Sequence, residues 1–414
     1  MAVKGRKNRT IYLSISEKDY ELFAEDNAVA HTTITKQLKI NPQAFPEKML
    51  KEGYKLNGRD RKSKKMNIQL RRIKVGDVVY RICPSYIIPG MRGKTMEVEK
   101  VLFLARFGVP FWALAVVFGK NSMYWYRLFI SLGQYNLVGT TVYDMTKMPT
   151  DVLADEFHIR LRGVKTYIAT VVGGGCFLGM AACKKADELS LRKAYGIFKE
   201  EVQRYLLNFQ PVTINTDGWW ATQKAVSFLF PQAQIVECFL HAFIKIRDRA
   251  TKKVVDYYDK AADKVWNIYR AENKRQMSQQ IRRLREWTIE NVPACAMKDN
   301  ILKLCKKKGK WLAHFDAPTA YRTSAHLDRI MKKMERHAIN SQMFHSNIEV
   351  TSLNFRAFAL INNFSPSCPK VTKKVEKLKS PAARLNGFVF SENWLENLYI
   401  AAFQAQFKQQ RKTL

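Results

Sequence analysis

The stretch Ile214-Asn215-Thr216-Asp217-Gly218-Trp219-Trp220 places an acidic residue between an apolar run and a run with helical character. Residues 211–214 have the composition of a buried strand, and residues 219–230 that of a helix. An acid that ends a buried strand and precedes a glycine is held at the rim of a sheet while the backbone turns away. Such a position suits a carboxylate that binds a hard cation. The alternative is a helix N-cap, where Asp is favoured, but Asp155 and Asp328 stand in similarly unusual contexts.

Strand-like and helix-like segments surround this stretch in a defined order. Three strands joined by glycine-containing turns come first, then a helix, the strand that ends at Asp217, a second helix and a last strand. Their predicted ranges are 152–159, 165–172, 176–182, 186–208, 211–214, 219–230 and 234–236. This is the order of a ribonuclease H-like α/β fold with a mixed five-stranded sheet. In that order the first and fourth strands are neighbours, so Asp155 and Asp217 can converge on one metal ion or on two.

Carboxylate ligands from Asp155 and Asp217 favour Mg²⁺ or Mn²⁺ over zinc. With two ions about 3.5–4 Å apart, one would activate an attacking water or 3′-hydroxyl and the other would stabilise the leaving oxygen at phosphorus. A third acid must come from a later helix. Asp328 is the first choice, and Glu335, two turns further on the same face, is the reserve. The alternative for either is a surface acid paired with a basic neighbour, which fits Glu335 better.

Cys238 and His241 form a Cys-x-x-His pair just after the last strand. Two such ligands alone do not make a zinc site, so we expect a structural pair close to the metal acids. The chain has seven cysteines and no Cys-x-x-Cys pair, which argues against a disulfide framework or a structural zinc site. Reduced thiols fit a cytoplasmic protein.

The charge balance indicates a polyanionic partner. Lys and Arg number 70 against 36 Asp and Glu, so the formal net charge is +34. Nucleic acid is the first candidate for such a chain. The most apolar stretch, residues 98–118, is interrupted by Arg106, Gly108 and Pro110 and is too broken to span a bilayer, which needs about 20 apolar residues. We therefore expect a cytoplasmic, nucleoid-associated protein with no membrane contact.

Residues 94–147 predict a small helical domain with three short helices, 96–106, 111–118 and 123–132. The last two are joined by a tight turn with Ser122 as the predicted cap, which matches a helix-turn-helix. On that interpretation four side chains face DNA: Lys120, Asn121, Tyr124 and Arg127. The alternative is an ordinary helical hairpin. Upstream, Arg71 and Arg72 belong to a basic run that is either a solvated linker or a phosphate-binding segment.

The predicted domain organisation has six parts. They are a helical lead segment (1–54), a basic connector (55–93), the helix-turn-helix domain (94–147), a catalytic domain in two pieces (148–239 and 319–345), a helical insertion between those pieces (240–318) and a C-terminal helical region (346–414).

Four motifs occur in chain order: Ala154-Asp155-Glu156, Asn215-Thr216-Asp217-Gly218-Trp219, Cys238-Phe239-Leu240-His241, and Arg322-Thr323-Ser324 followed by Asp328-Arg329. Together they resemble the motifs of bacterial insertion-sequence transposases with a DDE-type catalytic domain, over a region from about residue 78 to the C-terminal region. The resemblance implies that Asp155 and Asp217 are the first two metal ligands. It departs from the family at position 328, where Asp stands in place of the usual Glu.

The resemblance implies a transposase that binds terminal inverted repeats, cleaves DNA strands and joins a 3′-hydroxyl to target DNA. It also implies assembly as a homodimer or larger complex, because two element ends must be brought together. Two alternatives remain open. One is a ribonuclease H-like nuclease that cuts DNA without joining it, and the other is a non-catalytic DNA-binding protein derived from a transposase.

Overall fold

In a computed structural model of the protein, two mixed β-sheets are surrounded by helices. The structure describes residues 9–63, 67–91, 93–251, 254–323, 325–341, 344, 346–373 and 378–408, and the side chains of residues 313 and 325–328 lie outside this description. The predicted mixed α/β class is confirmed.

The N-terminal part is a four-stranded sheet with helices, which the sequence did not predict. In chain order its elements are β1 (Thr10–Leu13), α1 (Glu17–Glu25), α2 (Asn27–Ile40), α3 (Glu47–Glu52), β2 (Lys55–Arg59), β3 (Arg71–Val75) and β4 (Val78–Pro84). The strand order is β1-β4-β3-β2, with β1 parallel to β4. Ser16 caps α1, as its position before an acidic first turn predicts. The predicted basic connector therefore contains three of the four strands of this sheet.

Arg71 has a structural role in this sheet. Its side chain is buried, and its guanidinium donates to the carbonyl oxygens of Phe23 (2.8 Å) and Ala24 (3.0 Å) and to Oδ1 of Asn27 (2.7 Å). These bonds satisfy carbonyls at the end of α1 that have no partner within the helix. The prediction that Arg71 contacts DNA is wrong, because its donors are used internally. Arg72 is half-buried, with Nε 3.6 Å from Asp60, and its phosphate contact stays a prediction.

The next segment forms the three predicted helices, α4 (Thr95–Arg106), α5 (Phe111–Phe118) and α6 (Ser122–Leu132), followed by the short α7 (Leu137–Thr141). The residue that caps α6 is Asn121, whose Oδ1 accepts from the backbone N–H of Met123 at 2.8 Å. The predicted cap, Ser122, is instead the first helical residue, one position later. The buried side chains of α4, α5 and α6 belong to one hydrophobic core with the four-stranded sheet and the C-terminal helices.

The second sheet consists of β5 (Asp151–Leu161), β6 (Val164–Gly173), β7 (Cys176–Cys183), β8 (Thr213–Thr216) and β9 (Gln234–Glu237). Its order is β7-β6-β5-β8-β9, antiparallel across the first three strands and parallel from β5 to β9. The predicted adjacency of the first and fourth strands is confirmed. Helices α8 (Glu188–Gln203) and α9 (Trp220–Leu229) cover one face.

An all-helical insertion follows β9, as predicted. It contains α10 (Phe239–Arg247), α11 (Val255–Tyr269), α12 (Lys274–Asn291), α13 (Ala296–Lys306) and α14 (Lys308–Leu312). These helices enclose a core of their own, in which Val265, Ile281 and Ile301 are buried. The insertion therefore has an apolar core of its own, distinct from those of the two sheets.

The described residues after 324 form α15 (Ala325–Asn340), α16 (Ile348–Phe364), α17 (Pro369–Thr372), α18 (Pro381–Asn386) and α19 (Trp394–Gln404). Helices α15 and α16 cover the second face of the five-stranded sheet, and α16 is buried along most of its length. No helix in the described ranges is both long and apolar enough to cross a bilayer.

Candidate metal centre

Asp155 and Asp217 lie side by side at the centre of the five-stranded sheet. Strands β5 and β8 are parallel, with Leu153 opposite Asn215. Continuing this register by two residues places Asp155 beside Asp217 on the same face of the sheet, because side chains on a strand alternate with a period of two. The two carboxylates thus meet at the point where β8 ends.

The backbone fixes both carboxylates. Oδ1 of Asp155 accepts from the N–H of Glu156 at 2.8 Å, and Oδ1 of Asp217 accepts from the N–H of Trp219 at 2.8 Å. Between them Gly218 adopts φ +90°, a conformation that residues with a side chain rarely take. The N-cap of α9 is Trp219, so the alternative interpretation of Asp217 as a helix cap does not hold.

Asp155 and Asp217 carry negative charge that no Lys or Arg among the described residues neutralises. The pKa of Asp155 is raised from 3.8 to about 7, chiefly by burial and then by the negative charges of Asp217 and Glu156, against the lowering effects of the Glu156 N–H and of His241. In the described part of the chain, neither Asp155 nor Asp217 forms an ion pair with a Lys or Arg side chain. A divalent cation would relieve this repulsion.

Three segments converge beside the pair. The N–H of Cys238 donates to the carbonyl of Thr216 at 2.7 Å, which ties the start of α10 to the end of β8. The N–H of Phe239 donates to the carbonyl of Arg322 at 3.2 Å. Nδ2 of Asn215 donates to the carbonyl of Tyr321 at 2.6 Å. The chain that leads into α15 therefore lies against the acid-bearing strand.

The structure does not place a third acid. Asp328 lies in the first turns of α15, but its side chain is outside the described residues. Glu335 is exposed and lines a pocket with Phe157, His158 and Arg160, further along β5 than Asp155. Among the side chains that are described, no group of three or more His, Cys, Asp or Glu is placed to hold a metal ion.

The predicted Cys238–His241 pair lies close to the acids. Cys238 is buried at the N-cap of α10, and His241 follows in the first turn of that helix. His241 is near enough for its charge to lower the pKa of Asp155. Cys238 and His241 therefore lie beside Asp217 and Asp155, and any role next to a metal stays a prediction.

Glu237 is a buried acid beside the site that the sequence analysis missed. It ends β9 opposite Thr216, and its carboxylate accepts from Lys307 and Lys310 at 2.5 Å each and from Gln223 at 3.1 Å. Burial alone would raise the pKa of Glu237, but these donors lower it below its ordinary value. An acid at the end of an apolar strand, the signal that marked Asp217, was present here too.

A basic pocket opens next to Asp217. It has a volume of about 280 Å³ and is lined by the sheet edge and by helices α10 and α13 of the insertion. Its polar lining includes Lys245, Lys303, Lys307 and Asn300. The pocket therefore places positive charge from the insertion beside the acid pair, an arrangement that suits an anionic substrate.

The side chains predicted to face DNA lie around the turn between α5 and α6. Lys120 and Arg127 are exposed, and Tyr124 is half-buried, with Nζ of Lys120 5.1 Å from its ring centre. Asn121 uses its side-chain oxygen to cap α6. Helix α5 exposes an apolar face instead, with Trp112, Val116 and Val117 each more than half exposed. Groove binding by this region stays a prediction.

A comparison with models of known protein families gave no match, and a comparison with curated proteins also gave none. Function is therefore inferred from the residues of this chain and their geometry.

Proposed function

We propose that this chain is a DNA transposase of an insertion sequence, with a ribonuclease H-like catalytic domain of the DDE type. It would bind terminal inverted repeats, cleave a DNA strand and join the freed 3′-hydroxyl to a target phosphodiester. The observation that supports this proposal most strongly is the pairing of Asp155 with Asp217 across parallel strands, without a Lys or Arg partner in the described residues.

The donor set of the acid pair fits Mg²⁺ or Mn²⁺. One oxygen of each carboxylate is held by a backbone N–H, and the second oxygen of each would bind the cation. We assign the third position to Asp328, whose helix follows Tyr321 and Arg322 at the acid-bearing strand, and keep Glu335 as the reserve. When bound, two such ions supply activation of an attacking hydroxyl and stabilisation of the leaving oxygen at phosphorus.

The remaining groups position the substrate. Lys245 and Lys303 line the pocket beside Asp217 and would attract the phosphates that flank the cleaved bond. Asp155 and Asp217 are held on a sheet and by backbone hydrogen bonds, so little reorganisation is needed when substrate arrives. His241 moderates the negative charge on Asp155. The partners of the protein would be DNA and a second copy of the chain, in the cytoplasm and on the nucleoid.

A second candidate is a non-catalytic DNA-binding protein derived from a transposase. It is favoured by one observation, the formal net charge of +34, which accounts for DNA binding without any catalytic step. A nuclease on the same sheet is the third interpretation of the acid pair, since cleavage needs the same cations but no strand joining.

One experiment separates the three functions. The purified chain is incubated with Mn²⁺ and a supercoiled plasmid that carries the DNA found on each side of its gene. Joined products support the transposase, and nicking without joining supports the nuclease. Salt-sensitive binding with neither product supports the DNA-binding protein and overturns the catalytic proposal.

A further inference from the structure

A second group of charges lies apart from the acid pair, at the end of α16. Three cations from separate helices hydrogen-bond to residues 362–367. Nζ of Lys333 donates to Oδ1 of Asn362 at 3.3 Å. Nη1 of Arg106 donates to Oγ of Ser365 at 2.5 Å and to the carbonyl of Pro366 at 3.0 Å.

The third cation is Arg384 of α18. Its Nη2 donates to Oγ of Ser367 at 2.9 Å, and its Nη1 donates to the carbonyls of Leu378 and Lys379 at 3.2 and 3.1 Å. Arg336 lies one turn after Lys333 on α15 and is exposed. We call Arg106, Lys333, Arg336 and Arg384 the basic cluster.

All of these hydrogen-bond partners are neutral groups. In the described residues no member of the basic cluster forms a salt bridge. Burial lowers the pKa of Lys333 to about 8, with a further contribution from the charges of Arg106, Arg384 and Arg336. Burial also lowers the pKa of Arg106 to about 10. Cations gathered in this way repel one another and lose solvation, which costs free energy.

The end of α16 offsets only part of this charge. A helix C-terminus carries about half a negative charge, whereas the cluster holds four cations. The cluster is also open to solvent, because Arg336 is exposed and Lys333 and Arg384 are half-buried. An anion from solution can therefore reach it.

We propose that the basic cluster is a binding site for a phosphate-type oxyanion, separate from the metal centre. Guanidinium groups bind phosphate through parallel hydrogen bonds, and an ammonium adds a point charge. The phosphate belongs either to a nucleic-acid backbone or to a free anion. The net charge of +34 favours the nucleic acid. This proposal does not depend on catalysis by Asp155 and Asp217.

The test compares two variants of α15 with the same change of charge. Lys333→Gln removes a member of the cluster, and Lys332→Gln removes an exposed neighbour that is not part of it. Thermal unfolding is measured with pyrophosphate and with chloride at matched ionic strength. We expect pyrophosphate to raise the Tm of the wild type and of Lys332→Gln, and to raise that of Lys333→Gln much less. Arg336→Gln repeats the measurement at a second, exposed member of the basic cluster.

Binding of duplex DNA as a function of salt identifies the source of the phosphate. If the nucleic-acid backbone is the ligand, the slope of log K against log salt is shallower for Lys333→Gln than for Lys332→Gln. The expected change is about 0.9 for each phosphate that the variant no longer neutralises. If the slope matches that of Lys332→Gln while the pyrophosphate effect disappears, the ligand is a free anion.

Two results would overturn the site. One is an undiminished pyrophosphate effect in both Lys333→Gln and Arg336→Gln. The other is a marked fall in Tm of Lys333→Gln without phosphate, since that identifies Lys333 as a structural cap of α16. If Lys333 is instead a half-buried cation repelled by its neighbours, Lys333→Gln should have an unchanged or a higher Tm.

Discussion

Two acidic sites at neighbouring strand ends of one sheet differ in how the protein compensates their negative charge. At the end of β8, Asp217 faces Asp155, and the pKa of Asp155 is raised to about 7 by burial and by like charge. At the end of β9, Glu237 is buried, whereas Asp155 and Asp217 are half-buried, yet the pKa of Glu237 is lowered because Lys307, Lys310 and Gln223 donate to its carboxylate. Asp217 and Glu237 both stand at strand ends, one residue apart in register, and they differ in counter-charge.

The difference separates a structural acid from a candidate ligand. Glu237 receives its cations from the insertion, so its charge joins two parts of the chain. The pair Asp155–Asp217 receives no Lys or Arg in the described residues, so a cation must come from solution for both acids to be ionised together. Substitutions at each acid test this contrast.

The largest effect should follow loss of the pair. Asp155→Asn or Asp217→Asn should lower strand cleavage in Mn²⁺ by more than about 100-fold, the upper range for removing an outer-shell partner of a metal, with DNA affinity nearly unchanged. Product formation and gel shifts measure the two quantities. The control is Asp151→Asn on the same strand, where Asp151 accepts from Thr213 at 2.5 Å. Full cleavage by either variant would remove that residue from the metal centre.

Loss of Glu237, whose charge is balanced by two lysines, should lower the stability of the protein rather than its cleavage activity. Glu237→Ala leaves Lys307 and Lys310 without their shared partner. Breaking a buried pair costs about 3–5 kcal/mol, and we expect about 2–4 kcal/mol because both lysines are partly exposed. Urea unfolding measures the change, with the exposed Glu290→Gln as control. An unchanged free energy of unfolding would show that Glu237 does not hold the insertion.

Whereas Glu237→Ala should lower stability, removing the charge of Asp155 should raise it when no divalent cation is present. Since its pKa is raised from 3.8 to about 7, the folded state keeps a proton that the unfolded state loses. That stabilisation is complete below about pH 4 and is lost as the pH rises through about 7. Asp155→Asn cannot ionise, so at pH 8 in EDTA it should be more stable than the wild type by about 1–3 kcal/mol, below the 4 kcal/mol upper limit from direct conversion.

The same comparison at pH 4 should show a much smaller difference between the two proteins. Adding Mn²⁺ at pH 8 should raise the Tm of the wild type and leave that of Asp155→Asn nearly unchanged. A wild type that is more stable than the variant at pH 8 in EDTA would mean that Asp155 is compensated after all, as Glu237 is.

The smallest effect concerns the pocket beside the pair. Lys303→Gln should weaken DNA binding only a few-fold, make the salt slope shallower by up to about 0.9, and change stability by less than about 0.5 kcal/mol. Lys306→Gln is the control, because Lys306 is exposed on the same helix and does not line the pocket. Equal effects of the two changes would show that the pocket does not bind phosphate specifically.

The sequence predicted the centre of the molecule better than its N-terminal part. Alternating apolar residues and glycine turns located β5 to β7, and the apolar run before Asp217 located β8. These signals are local. Strand β1 pairs with β4, far along the chain, and no local pattern reveals that β3, which contains Arg71, is an inner strand. A run of basic residues looks the same in a linker and in a twisted sheet.

The site was predictable in part for the same reason. The order of strands placed Asp155 near Asp217, since topology converts sequence order into adjacency. The partners of Glu237 were not predictable, because Lys307 and Lys310 belong to a helical layer whose docking depends on tertiary packing. The basic cluster was missed likewise, since its members come from three distant helices.

The hydrogen bond between Phe239 and Arg322 means that the insertion leaves and rejoins the sheet at a single point. The helices between these residues have their own core. They form a unit whose first and last residues are hydrogen-bonded to each other. A linker of a few residues would bridge the gap, provided that Glu237 is made neutral at the same time. Such a shortened protein would allow the five-stranded sheet to be studied alone, or with a different insertion in this place, while β5 and β8 are retained.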